Sequence, residues 1–392
     1  MQPAPVSFSN TEIAFKRFSN NDLRKAELLF RTFNYPWLVR NGPALASMAV
    51  SIGFKSLVKN TIFSHFCGGE NIHACEHTIG QLHRFGVGTI LDYSVEGEDR
   101  EDVFEATCQE IIRTITRAAG NAEIPFSVFK TTGIARFGLL EKIQSGATLA
   151  AAEQSEWDAV RLRFRRICST AHEHQVRIFV DAEESWIQDP IDQLAMEMMQ
   201  EFNQKQAIVY NTIQLYRHDR LAYLRKVIAE HPMFLGFKLV RGAYMEKERE
   251  RAKNMGYPDP IQPDKTATDR DYNEALSVCV QNIRRVSICA GTHNEQSSSF
   301  LMQLMAQNGL TPTDERIYFS QLLGMSDHIS FNLAHAGYRV AKYVPYGPVK
   351  AVLPYLGRRA QENSAMAGQM GRELAMIRAE RQRRQHTPKA GV

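Results

Sequence analysis

Arg177-Ile-Phe-Val-Asp-Ala-Glu-Glu184 is a short apolar run, rich in β-branched residues, that closes on carboxylates. Similar runs recur at Thr89 to Tyr93, Phe126 to Lys130, Ile208 to Tyr216, Phe237 to Ala243, Val286 to Gly291, Ile317 to Leu322 and Arg339 to Val344. Each reads as a buried strand. Between them lie helical patterns such as Trp157, Val160, Phe164, Ile167 and Tyr272, Leu276, Cys279, Ile283, wide enough to cross back over a sheet and keep neighbouring strands parallel. Eight such units in about 280 residues predict an α/β fold of the (β/α)8 TIM-barrel type rather than a doubly wound sheet. No GxGxxG follows a strand and no GxxxxGK[ST] is present, so the two usual nucleotide folds lose support.

Outward from this core, Leu23, Ala26, Phe30 and Phe33 recur at steps of three and four behind a possible cap at Asn20 or Asn21. A second apolar helix is expected from Pro43 to Lys59, ended by Cys67-Gly68-Gly69, and a third carries Ile72, Cys75, Ile79 and Leu82 into Gly86-Val-Gly88. The division expected is an N-terminal helical arm over 1–85, the barrel over 86–367, and a basic tail over 368–392. With 44% hydrophobic and 23% charged residues, the 392-residue chain is not disordered, collagenous or fibrous. Its net charge is only +4, and the basic excess gathers at Arg378, Arg381, Arg383 and Arg384, which reads as a solvated end rather than a nucleic-acid site. The six cysteines form no CxxC pair and read as buried reduced thiols. The N-terminus lacks the pattern of a secretory or transit signal, so a cytoplasmic protein is expected. No run approaches the ~20 apolar residues of a spanning helix, so any membrane contact is peripheral.

In a barrel of this type, reactive groups sit at the C-terminal ends of the strands. Nearly every run here closes on a polar residue: Asp92 and Glu96, Lys130, Asp181 and Glu183, Gln214, Arg241, Thr292-His293-Asn294, Gln321, and Tyr343. Polar groups in register at successive exits point to a polar active site. A second concentration, Tyr343-Val-Pro-Tyr-Gly347 followed by Tyr355 and the pair Arg358 and Arg359, supplies two guanidinium forks suited to a carboxylate or phosphate held in a fixed plane. Metal sites read poorly: His172 and His174 point to different helix faces, and no HExxH occurs. No GxSxG elbow supports acyl chemistry.

The strings Phe179-Val-Asp-Ala-Glu-Glu184, Lys238-Leu-Val-Arg-Gly-Ala-Tyr244, Tyr257-Pro-Asp-Pro260 with Thr268-Asp-Arg-Asp-Tyr272, Thr292-His-Asn294, Gln321-Leu-Leu-Gly-Met325, Tyr343-Val-Pro-Tyr-Gly347 and Tyr355-Leu-Gly-Arg-Arg-Ala-Gln-Glu-Asn363 resemble proline dehydrogenase in order and spacing. The resemblance implies an FAD-containing barrel that oxidises L-proline to Δ1-pyrroline-5-carboxylate, the first step of proline catabolism, and passes electrons to a membrane quinone. It implies that Lys130, Arg358 and Arg359 hold the proline carboxylate and that Tyr343 and Tyr355 wall the ring. Asp181 matches the aspartate beside flavin and substrate, and Glu96 the acidic partner of Arg358 in a gate. The positions matching FAD contacts are Gln214, Lys238, Val240, Arg241, Gly242, Thr292, His293 and Asn294.

Two departures bear on these expectations. Many bacterial members carry Arg at the position of Lys238 and Lys at that of Arg241, so both remain alternatives for the donor to flavin N5; the order here resembles the mitochondrial type. The bifunctional relatives add an aldehyde dehydrogenase and sometimes a DNA-binding segment. The expectation here is a monofunctional enzyme whose product goes to a separate aldehyde dehydrogenase. The runners-up are a hydroxyproline dehydrogenase, disfavoured because the Tyr343 phenol would crowd a 4-hydroxyl, and a non-catalytic barrel that senses proline or flavin. Peripheral contact with the inner face of a membrane is expected through the apolar Leu45 to Leu57 segment and the basic tail.

Overall fold

The computed structural model describes residues 6–32, 35, 37, 41–42, 51–94, 99–365 and 367–386. Eight parallel strands close into one barrel in chain order: β1 (Val87–Tyr93), β2 (Phe126–Lys130), β3 (Arg177–Asp181), β4 (Val209–Gln214), β5 (Leu235–Val240), β6 (Val286–Gly291), β7 (Ile317–Leu322) and β8 (Val340–Tyr346). The (β/α)8 expectation therefore holds. Strands β2, β3, β6 and β7 have the limits the sequence pattern suggests, whereas β4 and β5 stop at Gln214 and Val240, before the residues that turn outward. Strands buried on both faces read as apolar runs because helices cover their outer side. By contact density the chain forms two compact units, one holding residues 1–89, 94–96 and 321–392 and the other 90–93 and 97–320.

In the second unit, the strand starts are plugged by aromatic rings. Phe126 and Phe179 stack with centroids 4.4 Å apart, and Tyr210 and Tyr318 meet Phe126 edge-on. Gly236 is required beside this plug, since a Cβ there would lie 2.5 Å from Tyr210 Cγ. The outer helices follow the expected periodicity. Ala151–Glu173 buries Trp157, Val160, Phe164 and Ile167, and Lys265–Gln281 buries Tyr272, Leu276 and Cys279 behind an Asp264 cap that accepts from Ala267 N at 2.8 Å. The six cysteines are buried and outside any disulfide, and for Cys75, Cys108, Cys168, Cys279 and Cys289 burial raises the pKa.

In the first unit, the helix Asn20–Thr32 turns Leu23, Ala26 and Phe30 into a core shared with Phe63, Phe66, Met325, Val352, Tyr355 and Ile377. Residues 43–50 of the expected second helix lie outside the described residues; Lys55–Val58 and Ser64–Phe66 are helical. Over its described residues the basic C-terminal segment is not a solvated end, while 387–392 lie outside the described residues. It is a helix, Ala367–His386, whose Arg378 and Arg381 share the Glu27 carboxylate and whose Arg384 donates to Phe15 O and Phe18 O at 2.9 and 2.8 Å. Deeper in the same unit, the fully buried Lys342 of β8 lies 2.6 Å from Asp327, which also accepts from Arg17 at 3.0 Å. Among the described residues no helix is long and apolar enough to cross a membrane.

Candidate active site at the strand exits

The second unit brings Lys130, Asp181 and Lys238 together. Lys130 and Asp181 are register partners at the ends of β2 and β3, 3.1 Å apart. Lys238 points inward from β5 and donates to the other Asp181 oxygen. Inward positions of alternate strands share one layer in such a barrel, which is why β5 reaches past β4 to β3. Asp181 and Lys238 are buried. Burial alone would push the Asp181 carboxyl up, but the Lys238 and Lys130 ammonium groups outweigh it and hold the carboxyl below the usual carboxylate range. The result is an ionised, hydrogen-bonded carboxylate between two cations. One carboxylate facing two ammonium groups leaves the set with cationic character toward an incoming anion.

The expected FAD residues fall around the same exits. Gln214 ends β4 at 3% exposure, and its Oε1 has no hydrogen-bond partner among the described residues. A buried amide oxygen left this way costs about 1–3 kcal/mol, so a ligand N–H placed against it would recover that loss. Val240 ends β5, and Gly242 follows with φ of +138°. A Cβ at Gly242 would lie 2.4 Å from the Tyr216 ring, so only glycine lets the backbone pass there. The Arg241 fork crosses to the β6 exit. Its Nε donates to Asp269 at 2.7 Å, Nη1 to Thr292 Oγ1 at 2.7 Å and Nη2 to Ser297 Oγ at 2.9 Å. His293 is partly exposed between Thr292 and Asn294. Asn294 caps the helix Glu295–Gln307 by accepting from Ser297 N at 2.9 Å, and a helix N-terminus at a strand exit suits a phosphate. An acceptor awaiting a donor, a glycine-only passage and a helix N-terminus are the features a flavin dinucleotide needs, so these residues fit FAD.

In the first unit, Tyr343 of β8 is 7% exposed, and its carbonyl accepts from Leu323 N at 2.8 Å. The helix Val349–Ala365 carries Tyr355, Arg358 and Arg359. Arg359 is 8% exposed with its guanidinium carbon 5.0 Å from the centre of the Tyr355 ring, while Arg358 is partly exposed. Glu96 lies outside the described residues.

Apart from Glu96 for Arg358, the sequence carries no sign of which residues partner these groups. Asp269 is the counter-ion of Arg241, and Thr132, Gln188 and Asp192 form the hydrogen-bonded surroundings of Glu183, none of them marked by a strand-closing position. The available signal for Thr132 and Glu183 is positional, since each lies two residues beyond a register pair, Lys130 and Asp181.

The profile described as proline dehydrogenase matches residues 75–372, well over half of the chain. Proline dehydrogenase 1, mitochondrial, of Drosophila melanogaster is 41% identical over 235 residues, covering 57% of this chain and 34% of the fly protein. Hydroxyproline dehydrogenase of Xenopus laevis is 30% identical over 421 residues, covering 97% of this chain and 90% of the frog protein. Among solved structures, proline utilization A from Bdellovibrio bacteriovorus, inactivated by N-propargylglycine, superposes with a TM-score of 0.70 at 18% identity. That match covers 91% of this chain and 38% of the solved one, and it carries the fold alone. The chain thus spans about a third of the length of the fly relative.

Proposed function

The chain belongs to the proline dehydrogenase family, and on that premise we propose that it oxidises L-proline to Δ1-pyrroline-5-carboxylate with FAD as cofactor and a membrane quinone as final acceptor. The observation that carries this reading is the buried Asp181–Lys238 pair, joined by the partly buried Lys130, beside the unpartnered Gln214 oxygen at neighbouring strand exits. FAD, when bound, supplies the hydride acceptor. Gln214, Lys238, Val240, Arg241, Gly242, Thr292, His293 and Asn294 are the residues assigned to hold it.

Lys130, Arg358 and Arg359 are assigned to the proline carboxylate. Charge-assisted contacts of this kind orient the ring, and orientation is a large share of what a hydride-transfer site must provide. Tyr343 and Tyr355 are assigned to the ring walls, and Glu96 remains proposed as the partner of Arg358. The proline nitrogen must lose a proton before its neighbouring carbon releases hydride. Asp181 is a weak base for that proton, because two ammonium groups already stabilise its ionised form. We therefore assign Asp181 to holding Lys130 and Lys238 in place and leave the amine proton to solvent.

Access to a membrane quinone is supported by exposed large apolar side chains concentrated in the arm: Leu28, Tyr35, Trp37, Ile52 and Phe54 are each more than half exposed. Aromatic and aliphatic groups displayed in this way suit peripheral insertion. The C-terminal arginines are less suited, since Arg378 and Arg381 are engaged by Glu27 and Arg383 and Arg384 by Glu380. Contact with the inner face of the membrane is thus proposed for the arm, with a separate aldehyde dehydrogenase taking the product.

The test is the visible absorption of the purified protein before and after anaerobic addition of L-proline. Flavin bands that bleach establish cofactor, substrate and reaction together. The frog relative motivates a parallel addition of trans-4-hydroxy-L-proline. Faster bleaching by the hydroxylated substrate would move the assignment to hydroxyproline, and bands that neither substrate alters would move it to a sensor.

A further inference from the structure

Glu183 has no part in the roles above, yet it is 3% exposed and lies two residues beyond Asp181. Its carboxylate reaches the β2 exit, accepting from Thr132 N at 2.9 Å and from the Thr132 hydroxyl. Thr132 in turn lies two residues beyond Lys130, so the contact continues the Lys130 and Asp181 register past the last ladder pair. The opposite side of Glu183 is anchored too. Its N–H donates to Gln188 Oε1 at 2.8 Å, Gln188 Nε2 donates to Asp192 Oδ1 at 2.9 Å, and Asn211 and Arg220 donate to Asp192 at 2.8 and 2.7 Å. Glu183, Gln188, Asp192, Asn211 and Arg220 are all buried. A buried polar chain whose members satisfy one another fixes geometry, and this one ends on the residues that follow Lys130.

We infer that Glu183 is a positioning residue: its ionised carboxylate, holding both the N–H and the hydroxyl of Thr132, fixes the strand end from which Lys130 reaches a substrate carboxylate. This rests on the proposed proline-oxidising reading, which supplies the carboxylate. Protonation weakens the hold, because the protonated oxygen becomes a donor and Thr132 loses one of its two acceptors. Burial is the largest influence and pushes the Glu183 carboxyl up to about 7, against the two Thr132 hydrogen bonds and the Lys130 charge. The other charged groups nearby are compensated. Glu184, which opposes ionisation, is paired with Lys247; Asp181 is paired with Lys130 and Lys238; and Asp192 meets Glu183 only through Gln188. The grip of Lys130 should therefore tighten as pH rises through neutrality.

Cyclopentanecarboxylate tests this, because it keeps the five-membered ring and the carboxylate of proline but has no amine to titrate or oxidise. Its dissociation constant is read from perturbation of the flavin bands of the FAD-loaded protein between about pH 6 and 9. The unmodified protein should bind it about three- to tenfold more tightly at the upper end, with a midpoint near 7. Glu183→Gln should abolish that midpoint, and Thr132→Val, which removes one hydrogen bond to the carboxylate, should move it upward. Tight binding with a flat profile in the unmodified protein, or a midpoint unchanged in Glu183→Gln, overturns the inference. If Glu183→Gln does not fold, the Thr132→Val midpoint decides. A flavin-loaded protein that binds neither proline nor this analogue at any pH would instead sink the substrate reading, and the inference with it.

Discussion

The Lys130 ammonium lies 3.1 Å from Asp181 Oδ2, and the two residues face each other in the β2–β3 register. Lys238 takes the second oxygen of the same carboxylate. Asp181→Asn should therefore leave two cations short of a counter-ion, one of them buried, and destabilise the protein by about 3–5 kcal/mol. Urea unfolding checks this, and adding Lys238→Met should return part of the loss. A single mutant within about 1 kcal/mol of the parent would show the carboxylate to be structurally dispensable.

Arg358→Met should raise the proline KM by the worth of one charge-assisted contact, about 1.5–3 kcal/mol or roughly ten- to hundredfold. Flavin content should not change. Steady-state kinetics on the FAD-loaded variant decide the matter, and an unaltered KM would remove Arg358 from the carboxylate site.

Gly242→Ala should be costly twice over, because φ is +138° and the new methyl carbon would lie 2.4 Å from the Tyr216 ring. Backbone strain of about 1–3 kcal/mol and overpacking of similar size both apply. Lower thermal stability and weaker FAD retention on dilution are the expected signs. Tyr216→Ala combined with Gly242→Ala should relieve the packing part only.

His65 links pH to stability. Its Nε2–H donates to Gly324 O at 3.0 Å, and Phe30 and Phe66 meet its ring edge-on. Loss of solvation is the main reason its pKa is lowered to about 4, outweighing the opposing Asp327 charge. A depressed histidine contributes stability that is present above its unfolded pKa of about 6.5 and is lost as pH falls toward 4. Between pH 7 and 5 the protein should lose about 1 kcal/mol from this group, allowing for its partial exposure. His65→Phe should be less stable than the parent at pH 7, having lost the Gly324 hydrogen bond, and the gap in melting temperature should narrow at pH 5. A constant gap would assign the acid sensitivity elsewhere.

The strands were legible because their signal is local. Runs such as Phe126–Lys130 and Val286–Gly291 are mostly apolar and buried up to their last residue, and a polar residue at or just after each end, Lys130 and Thr292, marks the exit. Asp181, Lys130 and Gln214 could be named on that basis alone. The tail could not be read in this way. Its arginines look like a solvated end until Glu27, more than 350 positions away, is brought against Arg378 and Arg381.

The sequence by itself determined the barrel, its strand order and the polar rim, because periodicity and strand-closing residues are properties of neighbours in the chain. Only the tertiary structure decided what each rim residue does for the others. Asp181 is shared by Lys130 and Lys238 across 51 and 57 positions, Arg241 is committed to Asp269, Thr292 and Ser297, and Glu183 ties one strand end to the next. Those pairings depend on which side chains the closed barrel brings within about 3 Å, a distance that no spacing along the sequence encodes.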